Sequence, residues 1–127
     1  MPDKTRVRAI IQKNKKYLLV KSAEEHNYGK WQFVGGNVES KDLLNEIKRE
    51  VREELGADLI NIRYAFPVYG RRGKVHYFTG NLKGKIKIDS NEIADYGYFD
   101  CKSAKKLSLS NTARLTLKKL CQKSRNP

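Results

Sequence analysis

Four glutamates in the segment 43–55 have the type and the spacing needed to hold a metal ion. They are Glu46, Glu50, Glu53 and Glu54. At positions i, i+4, i+7 and i+8 they project from one side of a helix, where stacked like charges cost about 0.2–0.5 kcal/mol per pair. A hard divalent cation, which prefers carboxylate oxygens, would compensate this repulsion. The alternative is a solvated acidic face on which Lys48, Arg49 and Arg52 act as ion-pair partners.

The same segment carries an apolar stripe that should bury one side of the helix. Its members are Leu44, Ile47, Val51 and Leu55, at i, i+3, i+7 and i+11. This spacing predicts an amphipathic helix whose apolar side faces a core. Ser40 or Asp42 can cap its start, and Gly56 suits the residue just past its end.

The stretch from Gly36 onward resembles the signature of the Nudix hydrolases, G-x5-E-x7-R-E-U-x-E-E-x-G-U, where U is a bulky aliphatic residue. The second half matches from Arg49 to Gly56, with Ala57 small at the last position. The first half departs, because Asp42 falls on the family glutamate and only six residues separate it from Arg49. Counting back from Arg49 puts Lys41 at that place instead. A one-residue deletion in the loop is the simplest account, and the resemblance then implies that Asp42 supports the site and pairs with Arg49.

The resemblance also implies the chemistry of the site, which is hydrolysis of a phosphoanhydride with Mg²⁺ or Mn²⁺ as Lewis acid and template. The implied metal ligands are Glu50, Glu53, Glu54 and the carbonyl of Gly35, where glycine lets the backbone approach closely. Gly36 is implied as a supporting residue. Glu92, in a loop before a later strand, is an additional ligand or base by the resemblance, and a plain loop acid is an equal alternative. The general base is left open between Glu53 and Glu92, and Arg49 belongs to the catalytic group.

Patterns elsewhere in the chain predict the rest of the fold. Segments 6–11, 16–21, 59–66 and 74–82 are expected to be strands, with turns at 12–15 and 69–73. Alternation on segment 74–82 puts Val75, Tyr77 and Thr79 on one face of the strand. A C-terminal helix starts near Ser110, with an apolar face from three leucines. By resemblance, residues 1–127 form a single Nudix domain of the α+β class, a mixed β-sheet sandwiched between helices (an α/β/α sandwich).

Residues outside the box must select the substrate. By resemblance to MutT-type members, Asn111 at the start of the C-terminal helix would hydrogen-bond a purine base, since an amide both donates and accepts. Ser110 or Asn111 is equally suited to be a helix cap, and the cap is favoured.

Aromatic residues near the pocket are a second source of selectivity. Tyr28 and Tyr77 are candidates for stacking on a base, worth about 1–3 kcal/mol each, whereas Trp31 and Phe78 are expected in the core. Arg71 and Arg72 occupy a turn and are given no specific role. His26 and His76 lack a nucleophile partner and receive none.

The composition bounds the remaining possibilities. The chain has 127 residues, 27 Lys and Arg against 14 Asp and Glu, and a net charge of +13, with no acidic residue from Cys101 onward. This charge favours anionic substrates and would allow weak non-specific nucleic-acid binding, although a solvated surface is the favoured explanation. With no long apolar run and no apolar leader, no membrane partner is expected and a cytoplasmic location is predicted. Cys101 and Cys121 are expected to be free, partly buried thiols, and a monomer and a homodimer remain open.

Three functions follow in order of preference. The first is a metal-dependent, MutT-like nucleoside triphosphate pyrophosphohydrolase. The second is a dinucleoside polyphosphate hydrolase. The third is a non-catalytic Nudix-fold module that binds nucleotide or RNA, which the shortened loop and the charge favour and the retained glutamates disfavour.

Overall fold

The computed structural model describes residues 4–124, without the side chains of residues 26, 123 and 124. Seven strands belong to one mixed sheet: β1 (Arg6–Lys13), β2 (Lys16–Ser22), β3 (Trp31–Gln32), β4 (Val34–Asn37), β5 (Asp58–Gly70), β6 (Gly73–Lys83) and β7 (Ile93–Phe99). The helices are α1 (Leu43–Leu55), α2 (Cys101–Ala104) and α3 (Asn111–Ser124), with a short 3₁₀ turn at Glu25–Asn27.

Two tight hairpins set the register of the sheet. Asn14 and Lys15 both have positive φ, at 53° and 64°, as a two-residue type I′ turn between β1 and β2 requires. Arg71 and Arg72 connect β5 to β6 in a second two-residue turn. Strands β1 and β6 then pair in parallel, and the main path of the sheet runs β3-β2-β1-β6-β5, with β4 on β1 and β7 on β2. Each predicted strand is present and is longer than predicted; β1 and β2 begin at the predicted residues and extend only at their ends, whereas β5 and β6 extend in both directions.

The two faces of the sheet are covered by different helices. On one face Ile47, Val51 and Leu55 of α1 pack with Val7, Ala9 and Ile11 of β1. On the other face Ala113 and Leu117 of α3 pack with Ile10, Val75 and Tyr77. This arrangement confirms the predicted α+β architecture, and it shows that β1 sends alternate side chains to opposite layers. None of the described helices is long and apolar enough to cross a membrane.

The ends of α1 follow from its sequence. The Asp42 carboxylate accepts a hydrogen bond from the Asn45 amide at 3.1 Å, and Gly56 adopts φ 65° and closes the last turn onto the Arg52 carbonyl. The predicted apolar stripe is wrong at its first member. Leu44 is 44% exposed, because Leu43 instead turns toward the core at the start of the helix.

The prediction of two free thiols is also wrong. Cys101 and Cys121 form a disulfide, with their Cα atoms 5.9 Å apart. They lie twenty positions apart in the chain, but α2 folds back against α3 and brings them together. Pairing across such a distance depends on how two helices pack, which spacing in the sequence does not reveal.

Candidate active site

Among the described residues, six carboxylates line one cavity of about 340 Å³, including the four that the sequence singled out as ligands or bases. Glu50 and Glu54 come from α1 and are 8% and 7% exposed. Glu53, on the same helix, keeps about half of its side chain in solvent. Glu92 comes from the turn before β7 and is half-buried. The fold thus joins Glu92 to the helix acids.

The glycine pair of β4 lets the backbone touch these acids. A Cβ built on Gly36 would lie 2.6 Å from Glu50 Oε2, so any larger residue would push on that carboxylate. The Gly35 amide donates to Glu54 Oε1 at 3.4 Å. Gly35 has φ 150°, and a side chain there would overlap the Val7 carbonyl on the neighbouring strand. Both positions need glycine because of close approach.

Burial makes the carboxylate cluster electrostatically unfavourable. Desolvation raises the pKa of Glu54 well above its ordinary value, and the neighbouring Glu50 carboxylate raises it further, against the opposing charge of Arg8. The pKa of Glu50 is raised by the same burial. Burial also raises the pKa of Glu92, with a contribution from Asp89. A cation placed among these oxygens would relieve all three shifts.

Arg49 forms ion pairs with several of the acids on α1. Its guanidinium lies 3.1 Å from Glu46 Oε1, 3.1 Å from Glu53 Oε2 and 3.4 Å from Glu50 Oε1. Glu39, in the loop before α1, is a more distant partner at 3.8 Å. Arg49 therefore contacts three of the four acids of α1.

The partner expected for Arg49 was the wrong acid. Asp42 is exposed and serves as the cap of α1, hydrogen-bonded to Asn45, and it makes no ion pair with Arg49. Glu46 takes that place. Its residue exposure is 6%, it accepts a hydrogen bond from the Glu39 backbone amide, and its contact with Arg49 lowers its pKa. In the shortened loop the cap occupies position 42, and an acid one helical turn further on supports the arginine.

The chemistry of the donor set fits a hard divalent cation, although the side chains are not gathered around a point. In the part of the chain that the structure describes, no three Asp, Glu, His or Cys side chains are arranged as a ready metal site. Glu53 is turned toward Arg49, because both of its carboxylate oxygens accept a hydrogen bond from Arg49 Nη1. Two buried glutamates with raised pKa, beside a backbone held open by glycine, are nevertheless the oxygen donors that Mg²⁺ or Mn²⁺ prefers.

A second cavity of about 150 Å³ adjoins the first and ends at α3. It shares Arg6, Asn27, Gln32 and Arg72 with the carboxylate cavity and is closed by Ser110, Asn111 and Thr112. The Ser110 hydroxyl accepts from the Ala113 amide at 3.3 Å and so caps α3. Because Ser110 is the cap, the amide of Asn111 is left to face the cavity, where it could contact a ligand.

The aromatic candidates do not join this site. Tyr77 is fully buried in the core, with its ring 5.5 Å from that of Phe33, and cannot stack on a base. It lies on the same face of β6 as Val75, as strand alternation predicted, and the structure shows that this face packs against α3. Tyr28 is 69% exposed and lines neither cavity. The core assignments of Trp31 and Phe78 agree with the structure, and the side chain of His26 lies outside the described residues.

Sequence reasoning missed two arginines of the site. Arg6 and Arg8 line the carboxylate cavity from β1, and Arg8 is only 5% exposed. The signal that was available is their position. Both alternate with apolar residues at the start of β1, and their two-residue spacing puts them on one face of the strand.

Comparison with known proteins decides the family. The NUDIX domain family model matches residues 2–120. The nucleoside triphosphatase NudI of Escherichia coli O139:H28 is 41% identical over 137 residues, covering 93% of this chain and 96% of the relative. This chain belongs to the Nudix hydrolase family. As a Nudix hydrolase it acts on phosphoanhydride bonds.

Solved Nudix structures share the fold. A MutT NUDIX hydrolase from Burkholderia pseudomallei superimposes with a TM-score of 0.77 at 20% identity, covering 93% of this chain and 98% of that one. The NUDIX domain of Shewanella oneidensis NrtR, complexed with ADP ribose, gives a TM-score of 0.79 at 15% identity, with coverage of 97% and 89%. At these identities the likeness concerns the fold of this Nudix hydrolase.

Proposed function

We propose that this Nudix hydrolase is a divalent-metal-dependent nucleoside triphosphate pyrophosphohydrolase. The observation that carries the proposal is the cluster of Glu50 and Glu54, two buried carboxylates whose pKa values are raised chiefly by desolvation. The similarity to NudI, a nucleoside triphosphatase, supports the substrate class.

In this proposal the described residues divide the work by position. Glu50 and Glu54 hold Mg²⁺ or Mn²⁺, with Glu53 and the Gly35 carbonyl as further ligands. The ion supplies Lewis-acid neutralisation of phosphate charge and activation of water. Arg49 positions the carboxylates of Glu53 and Glu50 through an ion pair with each. Glu53 and Glu92 are the two candidates for the general base, since both line the cavity.

Selectivity for a base is assigned to the α3 end of the site. Asn111 lines the second cavity and is not needed as the helix cap. Its amide can donate and accept at once, as recognition of a purine edge requires. Base discrimination is therefore expected to depend on Asn111, and not on Tyr77 or Tyr28.

Location and further partners remain predictions. The cytoplasm is expected, although disulfides such as Cys101–Cys121 are rare in reducing cytoplasm outside hyperthermophiles. The acid-free segment from Cys101 would give weak, salt-sensitive binding to nucleic acid. A monomer and a homodimer both remain open.

The test is release of pyrophosphate or phosphate from a nucleotide panel with Mg²⁺ and with Mn²⁺. The panel holds the ordinary and 8-oxo nucleoside triphosphates, diadenosine polyphosphates and ADP-ribose. Wild type is compared with Glu54→Gln and with Glu25→Gln, an exposed glutamate outside the cavity. The expected result is metal-dependent turnover of triphosphates that only Glu54→Gln abolishes, because an amide is a poor ligand for a hard cation.

The melting temperature separates chemistry from folding. Glu54→Gln removes a carboxylate whose buried charge is unfavourable, so the metal-free variant should be at least as stable as wild type. Turnover that survives in Glu54→Gln would refute the assignment. Turnover of diadenosine polyphosphates alone would identify the dinucleoside hydrolase, and no turnover at high enzyme concentration would point to a binding module.

A further inference from the structure

Two arginines of β1 line the carboxylate cavity without forming an ion pair, Arg8 being buried and Arg6 half-buried. Arg6 and Arg8 lie two positions apart and share a face of the strand. Arg8 Nη1 donates to the Phe33 carbonyl at 2.7 Å, but the buried Nε atoms of both arginines have no hydrogen-bond partner. Among the described side chains, every ion pair within 4.0 Å involves Arg49 or Arg52, and none involves Arg6 or Arg8.

This arrangement is unfavourable for the protein alone. Burial lowers the pKa of Arg6, and the positive charges of Arg8 and Arg72 lower it further. Removing a guanidinium from water without a paired anion costs stability, and clustering two or three of them adds repulsion. A bound anion would satisfy the free donors and reverse both costs.

The arginines lie between the carboxylates and the start of α3. The carboxylate cavity is lined by Arg6, Arg8 and Arg72, and the adjoining cavity shares Arg6 and Arg72 before it ends at Asn111. A Cβ built on Gly70 would lie 3.9 Å from Arg6 Nη2 and 2.6 Å from Thr112 Cγ2. The tip of Arg6 is therefore close to the first turn of α3. Arg8 sits at the other side, near enough to Glu54 to oppose its pKa shift.

We propose that Arg6, Arg8 and Arg72 bind the phosphate nearest the nucleoside, between a base at Asn111 and further phosphates at the glutamates. The proposal rests on the proposed function for the identity of the ligand as a nucleotide. Guanidinium groups present several N–H donors in a plane and match phosphate oxygens in pairs. A substrate then needs at least two phosphates, one at the arginines and one at the carboxylates. A nucleoside monophosphate, which has only the first, binds here without a metal ion.

The experiment measures nucleotide binding to the protein in the presence of EDTA, which keeps divalent cations away from the carboxylates. AMP and GMP are titrated into wild type, Arg6→Met, Arg8→Met and the control Arg63→Met by calorimetry. Arg63 is exposed on β5 and lines neither cavity. Adenosine and inorganic phosphate are titrated alongside, to separate the nucleoside from the phosphate. Methionine preserves much of the length of the side chain and removes the charge.

The expected result is binding of a monophosphate to wild type and Arg63→Met that weakens about tenfold or more in Arg6→Met and Arg8→Met, as loss of a charge-assisted contact predicts. Inorganic phosphate should bind more weakly than the nucleotide and respond to the same variants. If Arg8→Met does not fold, the test uses Arg6→Met alone. The Nε of Arg6 has no hydrogen-bond partner in the folded protein, so this substitution removes no hydrogen bond of that atom.

Two outcomes would overturn the site. One is that wild type and the three variants all bind AMP with the same affinity, and likewise GMP. The other is inorganic phosphate binding as tightly as the nucleotides, which would remove the assignment to the nucleoside side. Arginine-dependent monophosphate binding without turnover of any triphosphate would leave the site standing and refute the hydrolase proposal. Glu54-dependent turnover with arginine-independent binding would do the reverse.

Discussion

A methyl group added at Gly36 should disable the site while leaving the fold intact. In Gly36→Ala the new Cβ would lie 2.6 Å from Glu50 Oε2, 2.9 Å from Glu50 Cδ and 3.0 Å from Glu50 Oε1. Ordinary contacts of a Cβ begin near 3.4 Å, so the carboxylate must retreat by about 0.8 Å. Displacing a catalytic group by about 1 Å costs roughly 100-fold in rate. We expect kcat to fall by about that factor.

The backbone should tolerate the change. Gly36 does not lie in the left-handed region of φ, and it pairs with Val7 in a regular antiparallel ladder. The control is Gly97→Ala on β7, whose Cβ would press on the Phe99 ring at 3.1 Å, away from the carboxylates. Both variants should melt within a few degrees of wild type, and only Gly36→Ala should lose turnover and apparent Mn²⁺ affinity.

A second substitution tests whether position is the cause. Glu50→Asp withdraws the carboxylate by one methylene and should impair turnover alone, but it makes room for the methyl of Gly36→Ala. The double variant should therefore be more active than the product of the two single effects predicts. Unchanged kcat in Gly36→Ala, at an unchanged melting temperature, would refute the argument that the site depends on close contact between Gly36 and Glu50.

Three further results are expected. Cys101→Ser with Cys121→Ser, or reduction, should lower the free energy of unfolding by about 3 kcal/mol, because the bond closes a loop of 20 residues; an unchanged denaturation midpoint would contradict this. Glu46→Gln should lower activity or metal affinity about 10–100-fold by releasing Arg49, whereas Asp42→Ala should cost about 1 kcal/mol of stability as a lost cap and leave activity near wild type; the opposite pattern would restore Asp42 as the supporting acid. The raised pKa values of the buried α1 carboxylates mean that the folded, metal-free protein retains protons that the unfolded chain releases. Its stability should fall as pH rises above the ordinary glutamate value through the raised values, and stabilisation by Mg²⁺ over EDTA should grow across the same range in melting scans; a stabilisation independent of pH would contradict the assignment.

The sequence alone determined the parts of the site that lie on one helix. The spacing of Glu50, Glu53 and Glu54 fixes their shared side, because helix geometry is local and repeats every 3.6 residues. The ion pairs of Arg49 with acids three and four positions away, and Gly56 as the end of the helix, follow from the same local geometry. Alternation likewise placed Val75 and Tyr77 on one layer and Phe78 on the other, which the two cores confirm.

The shortened loop shows where local patterns fail. Alignment with the family signature predicted that Asp42 pairs with Arg49. Asp42 is instead the residue directly before α1, where its carboxylate accepts a hydrogen bond from a backbone amide of the first helical turn. Glu46 stands three positions before Arg49 on the same helix, a spacing at which side chains meet. That signal was present in the sequence, and only the structure showed that the contact is made.

Tertiary structure decided which residues from other parts of the chain surround the α1 carboxylates and which are buried in the core. Whether Tyr77 is a binding surface or core, and whether Cys101 meets Cys121, depends on how α2 and α3 pack on the sheet. The same holds for Arg6 and Arg8, whose charges are informative only because the fold brings both into the carboxylate cavity and leaves their buried Nε atoms without a hydrogen-bond partner. Such contacts join residues that are far apart in the chain. Their energies depend on burial and desolvation, which arise only when the helices have packed on the sheet.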